Sequence, residues 1–173
     1  MELDRIVLPI KENLCLFEEK LKESLNSDSS LISEVAYHLL CLKGKRLRPA
    51  LVFFSFGLCG NSTPDSKANS CAMNVALAIE LIHNATLLHD DVIDQSQKRR
   101  GQVSVNHKWS NLVSVLMGDF LLANAFKLLV KTDSPYLLSS ISQATELVSI
   151  GEMNQIQERH NYEIAEKTYF QII

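Results

Sequence analysis

The sequence predicts an all-α chain packed around one long central helix. Three observations carry that prediction. Apolar residues recur at three- and four-residue intervals along most of the 173 residues, helix start and stop residues punctuate them, and no convincing strand pattern interrupts them. Hydrophobic residues make up 46% of the chain and charged residues 21%, enough for one core of ordinary domain size, so 1–173 reads as a single helical domain.

Leu14, Phe17, Leu21 and Leu25 form one stripe, and Asn26-Ser27-Asp28-Ser29-Ser30 breaks it with turn formers. A second helix is expected from about Leu31 to Leu42, with Gly44 placed to end it. Pro49 suits the first turn of a third helix that runs through Leu51, Phe53, Phe54 and Leu58 and stops at Gly60. After a loop, Thr63 is a candidate N-cap and Pro64 a first helical residue for an almost unbroken helix to Ile93. At 1.5 Å per residue this rod would be roughly 45 Å long. Ala72, Val75, Ala76, Ile79, Leu81 and Ile82 make it apolar on more than one face, so other helices should surround it. Gln95 to His107, with Gly101, is expected to be a loop. Two further helices follow, about Leu112 to Lys131 and Tyr136 to Arg159, separated by Thr132-Asp133-Ser134-Pro135. The apolar pattern that begins at Ile164 stops at Ile173 without a cap, which reads as a bundle cut short.

Seventeen basic and 20 acidic residues leave a net charge of -3, which gives no global pull toward nucleic acid or acidic lipid. Cys15, Cys41, Cys59 and Cys71 form no CxxC pair and lie in or beside apolar stretches, the pattern of small buried thiols in a reduced compartment. The start Met1-Glu2-Leu3-Asp4-Arg5 lacks the basic, then apolar, character of a secretory signal, and the longest apolar runs, such as Leu51 to Phe54, fall short of a membrane span. A cytoplasmic protein without a transmembrane segment is expected.

The chemistry concentrates at the end of the central helix, in His83-Asn84-Ala85-Thr86-Leu87-Leu88-His89-Asp90-Asp91-Val92-Ile93-Asp94. Asp90 and Asp94 lie about 40° apart around a helix and project on one side, with Asp91 about 100° from Asp90. The helix dipole disfavours anions there, so the carboxylates suggest either a solvated acidic end or a site for a hard cation such as Mg²⁺, completed by substrate phosphates. Lys98-Arg99-Arg100 and Gly44-Lys45-Arg46-Leu47-Arg48-Pro49 supply cationic groups suited to phosphate oxygens, although either cluster alone would also suit a solvated face. His83 lies about 20° from Asp90 around the helix and points the same way. His89, next to Asp90, offers a competing His-Asp metal site of phosphohydrolase character.

Taken together, Gly44-Lys45-Arg46-Leu47-Arg48-Pro49, Glu80 to Asp94, Arg99-Arg100-Gly101 and Met117-Gly118-Asp119 resemble the motifs of the trans-isoprenyl (polyprenyl) diphosphate synthases, in order and spacing, over more than half the chain. The resemblance is to the N-terminal part of medium- and long-chain, octaprenyl-type synthases. It implies a multi-helix bundle of the isoprenoid synthase type and Mg²⁺-dependent addition of isopentenyl diphosphate to an allylic diphosphate. It further implies that Asp90 and Asp94 hold Mg²⁺ with Asp91 assisting, that Lys45, Arg48, His83 and Arg100 hold isopentenyl diphosphate, and that Arg99 holds the allylic diphosphate. Arg46, Asp119 and Gln155 are second-rank candidates. A bundle cut mid-assembly would expose apolar surface, so a homodimer or aggregation is expected. Ala85 and Thr86 stand where that family sets chain length; both are small, which implies a long product of the quinone side-chain kind. The family's second aspartate-rich motif and its Lys-Thr pair are not matched, because Lys167-Thr168 precedes the segment that normally comes before that pair. A non-catalytic or partner-dependent helical subunit therefore stays open as the alternative.

Overall fold

A computed structural model describes residues 5–41, 44–59 and 66–172. Its described part is built from eight α-helices, a short 3₁₀ turn at Leu8–Ile10 and one small β-ribbon. These gather into two compact units, one formed by the described residues of Met1–Asp133 and the other by those of Ser134–Ile173.

In the first unit, α1 (Lys11–Ser24) buries Phe17 and Leu21 from the predicted stripe, and Leu25 is buried at its C-cap. It is followed by α2 (Ser30–Cys41) and α3 (Leu47–Leu58). The central rod is α4 (Ser66–Ile93), 28 residues long; Thr63, Pro64 and Gly60 lie outside the described residues. Its most extensive partner is α6 (Asn111–Val130), and α3 and α1 pack on it as well. Ala76, Ala78 and Ala85 of α4 and Ala125 of α6 are fully buried, and small residues at such positions let backbones approach closely. Ser110 caps α6 by accepting from the Val113 N–H at 3.2 Å.

By length and mean hydropathy alone, Lys67–Ile93 (1.4) and Asn111–Val130 (1.7) are apolar enough to cross a membrane, which the short apolar runs of the sequence did not suggest. Here they are the core pair of the bundle. The buried polar groups they carry are partnered within it: Ser114 Oγ donates to Leu88 O at 2.9 Å, and Glu80 and Asp91 are both ion-paired.

The segment expected to be a loop is more ordered than its polarity suggested. β1 (Lys98–Arg99) pairs antiparallel with β2 (Gln102–Val103), Lys98 opposite Val103, around a turn in which Arg100 (φ 50°) and Gly101 (φ 80°) are left-handed. A short helix, α5 (Val105–Lys108), follows. Ser104 Oγ donates to Ser96 O at 2.6 Å, and Asn106 Nδ2 donates to Asp91 O and Ser96 O, so the ribbon is tied to the end of α4. The expected burial of the cysteines does not hold: Cys15, Cys41 and Cys59 are exposed and Cys71 half-buried, because each occupies an outward position on its helix or, for Cys59, at the helix end.

The second unit holds α7 (Pro135–Glu158) and α8 (Glu166–Ile172). Ser134 caps α7 with Pro135 at its first position, as the Ser-Pro pair allows. Gly151 lets the helices approach closely, since a Cβ there would stand 2.6 Å from Ile172 O. Gln155 belongs to this unit.

Candidate functional site

The end of α4 carries an acidic site on one side and a cationic pocket on the other. Asp94 stays in helical register, its N–H donating to Asp90 O at 2.8 Å, so both carboxylates leave the last turn together. Burial, followed by repulsion from Asp94, raises the Asp90 carboxyl above its ordinary range, and Arg99 partly offsets this. Two carboxylates strained in this way suit a hard cation that needs one or two protein oxygens and fills its other positions with water and phosphate. Among the described residues no cluster of three or more His, Cys, Asp or Glu is placed to hold a metal ion by itself.

Asp91 behaves differently. It is 2% exposed, and Arg99 clamps it: Nε donates to both carboxylate oxygens at 2.9 and 2.8 Å, with Nη2 2.8 Å from Oδ1. The hydrogen bond to Asp91 is the main reason the guanidinium pKa is raised, and Asp90 and Asp94 add to it. Arg99 therefore lies within the field of all three acids.

The next residue faces the other way. Arg100 lines an open pocket of about 390 Å³ together with Gly44, Lys45, Arg48, Glu80 and His83. Its guanidinium lies so close to Gly44 that a Cβ there would stand 2.7 Å from Nη1, so this glycine permits the close approach of Arg100; the helix end expected beside it falls on residues 42–43, outside the described residues. Burial lowers the His83 pKa, and Arg48 and Arg100 lower it further against an opposing pull from Glu80. The neutral imidazole is thus favoured while the pocket holds no anion.

Four further side chains named in the sequence have surroundings that the structure describes. Arg46 also lines the pocket, but as a paired cation. Nε donates to Glu18 Oε1 at 2.6 Å and Nη1 to Glu80 Oε1 at 2.7 Å, and the guanidinium lies 6.0 Å from the Phe17 ring centre. Its backbone is left-handed (φ 51°), which costs a non-glycine residue about 1–2 kcal/mol. The His89 ring is turned onto α6, with Nε2 3.2 Å from Val115 O and 3.6 Å from Asp119 Oδ1. A Cβ on Gly118 would stand 2.6 Å from His89 Cδ2, so this ring explains the glycine of Met117-Gly118-Asp119. Finally, Ala85 is fully buried, whereas Thr86 is half-buried and donates to His83 O at 2.9 Å.

The sequence model of the polyprenyl synthetase family matches residues 29–173. The chain belongs to that family. Among its relatives in the polyprenyl synthetases, an all-trans-nonaprenyl-diphosphate synthase (geranyl-diphosphate specific) of Rhodobacter capsulatus is 36% identical over 168 residues, 97% of this chain and 50% of the relative. Heptaprenyl diphosphate synthase component 2 of Bacillus subtilis (strain 168) is 35% identical over 95% of this chain and 45% of its own length. A crystal structure of a polyprenyl synthase from Caulobacter crescentus CB15, complexed with calcium and isoprenyl diphosphate, superposes with a TM-score of 0.90 at 36% identity, covering 99% of this chain and 50% of that one. The chain thus spans about half the length of each of these relatives, and over that half it has the all-α fold of the isoprenoid synthases.

Proposed function

We propose that the whole protein is a Mg²⁺-dependent prenyltransferase that adds isopentenyl diphosphate to an allylic diphosphate and makes an all-trans polyprenyl diphosphate of medium or long chain. One observation carries this reading: a single ribbon turn sends consecutive arginines to two adjoining sites of opposite character, Arg99 to the acids of α4 and Arg100 to the cationic pocket. Two diphosphate substrates require two such sites.

Asp90 and Asp94 would hold Mg²⁺, whose charge would stabilise the departing diphosphate as the allylic carbon–oxygen bond breaks. Arg99, fixed by Asp91 through one edge, keeps the N–H groups of its other edge for the allylic diphosphate. Lys45, Arg48, His83 and Arg100 take the diphosphate of isopentenyl diphosphate. The π electrons of that substrate would form the new carbon–carbon bond to the allylic cation, and the released diphosphate would take up the proton whose loss regenerates a double bond. Thr86, one turn before Asp90, is placed to meet the growing tail. A homodimer and a cytoplasmic location accompany this reading. A second reading, a subunit that works only with a partner, is favoured by the word "component" in the name of the Bacillus subtilis relative.

The test is incorporation of labelled isopentenyl diphosphate by the full-length protein. Asp90→Ala should reduce turnover by orders of magnitude without lowering the melting temperature, and near-normal turnover would remove Asp90 from the metal site. Residues 1–173 alone should show little condensation, since the matched relatives are about twice as long; robust incorporation by them would overturn that expectation.

A further inference from the structure

We propose that Arg46 is a positioning residue that sets the basic loop of the cationic pocket through its two carboxylate partners, without itself contacting the substrate; this rests on the prenyltransferase reading above. Four observations combine. Arg46 is the N-cap of α3, left-handed at φ 51° and ψ 37°, and no side-chain cap bond holds that conformation. Its side chain is only 13% exposed and is held from two helices, by Glu18 of α1 and by the 5%-exposed Glu80 of α4. Nη2 adds a longer contact to Glu18 Oε2 at 3.3 Å, which makes the α1 side of the tie bidentate. Arg46 itself, Lys45, Leu47 and Arg48 all line the pocket together with Arg100 and His83, and of these Arg46 has its guanidinium turned to the two carboxylates.

The chain enters α3 through one residue, and the direction of that residue decides where its basic neighbours point. A left-handed arginine holds its turn only while something fixes the side chain. Here the two carboxylates do so, drawing the guanidinium toward α1 and α4 and leaving Lys45 and Arg48 at the pocket. The tie also neutralises Glu80, which would otherwise place an unpaired carboxylate in the wall of an anion site. Burial alone would lower the Arg46 pKa, and the contacts to Glu18 and Glu80 more than reverse this, so the guanidinium keeps its charge.

Direct binding and positioning predict opposite signs for one substitution. Glu18→Gln removes a negative charge near an anion site and frees part of the guanidinium. If Arg46 contacted the substrate, isopentenyl diphosphate would bind as well as before or more tightly. If Arg46 positions the loop, binding weakens. In full-length protein, calorimetric titration with isopentenyl diphosphate should show Glu18→Gln weakening affinity about three- to tenfold. Arg46→Gly, which tolerates the turn but has no tie, should weaken it more than tenfold, and Arg46→Lys should recover part of that loss. In steady-state assays the KM for isopentenyl diphosphate should rise while the KM for the allylic substrate stays within twofold. Unchanged or tighter binding by Glu18→Gln, or equal rises in both KM values, would overturn the proposal. Wild-type protein that binds no isopentenyl diphosphate would instead overturn the prenyltransferase reading.

Discussion

Asp91 and Arg99 make the sharpest stability prediction, because one is buried and the other is not. The Asp91 side chain is 3% exposed and that of Arg99 27%, with contacts of 2.8–2.9 Å between them. Arg99→Ala strands a buried carboxylate, and breaking such a pair from one side costs about 3–5 kcal/mol; the partial exposure of Arg99 favours the lower end. A protein of this size loses about 2–4 °C of melting temperature per kcal/mol, so the loss should be about 6–12 °C. Asp91→Asn keeps one acceptor and loses a charge-assisted contact worth about 1.5–3 kcal/mol. The double variant should then be more stable than Arg99→Ala alone, because no buried charge remains. Thermal denaturation at pH 7, followed by circular dichroism for all four proteins, reads this directly. Additive losses, or an Arg99→Ala variant within about 0.5 kcal/mol of wild type as for an ordinary surface change, would refute the clamp.

Asp90→Asn should do the opposite of Asp91→Asn and raise the melting temperature of the metal-free protein at pH 7, by the roughly 0.3–1 kcal/mol that an anion at a helix C-terminus costs. The raised folded-state pKa means that ionised Asp90 opposes folding above that pKa, so the advantage of Asn should shrink as pH falls through it; a gain that persists in acid would refute the cause. His83 has a lowered pKa in the folded state, so its protonation opposes folding as pH falls below about 6.5, and a bound diphosphate should pull the pKa back up. Titration with isopentenyl diphosphate at pH 6.5 in buffers of different ionisation enthalpy should therefore show proton uptake that His83→Gln removes. Thr86→Phe should shorten the product while sparing the fold, whereas Ala85→Phe should destabilise by about 1–3 kcal/mol or more, since that site is fully buried. Chromatography of the dephosphorylated alcohols, together with melting curves, separates the two; an unchanged long product from Thr86→Phe would remove it from the tail path.

The helical skeleton was legible because periodicity and punctuation agree: α6 and α7 begin and end within a residue of the expected limits. The acid pair was legible for the same reason, since a fixed angle per residue places Asp90 and Asp94 together. The partners were not legible. Helical spacing puts Asp91 off to one side, but says nothing of a ribbon that returns eight residues later to set Arg99 against it. Glu80 did carry a signal: a carboxylate inside a long apolar helix must find a cation or remain uncharged. The cysteines misled for the converse reason, since an apolar sequence neighbourhood does not fix which face of a helix a small residue occupies.

Two of the basic residues in the motifs thus serve the fold and the site at once. Arg46 and Arg99 each engage a nearly buried carboxylate of α4, Glu80 and Asp91, eleven residues apart on one helix. That spacing is about three turns, so both carboxylates lie on similar sides of the rod, one behind the cationic pocket and one behind the acid site. Each pair fixes a short non-helical segment that no hydrophobic core could hold in place: residues 44–46 in one case and the 98–103 ribbon in the other. The neighbouring residues Lys45, Arg48 and Arg100 line the cationic pocket. A helix this apolar therefore keeps two charges inside because they orient the loops from which the site is made, and replacing either pair with well-packed apolar residues should preserve or raise stability while loosening the site.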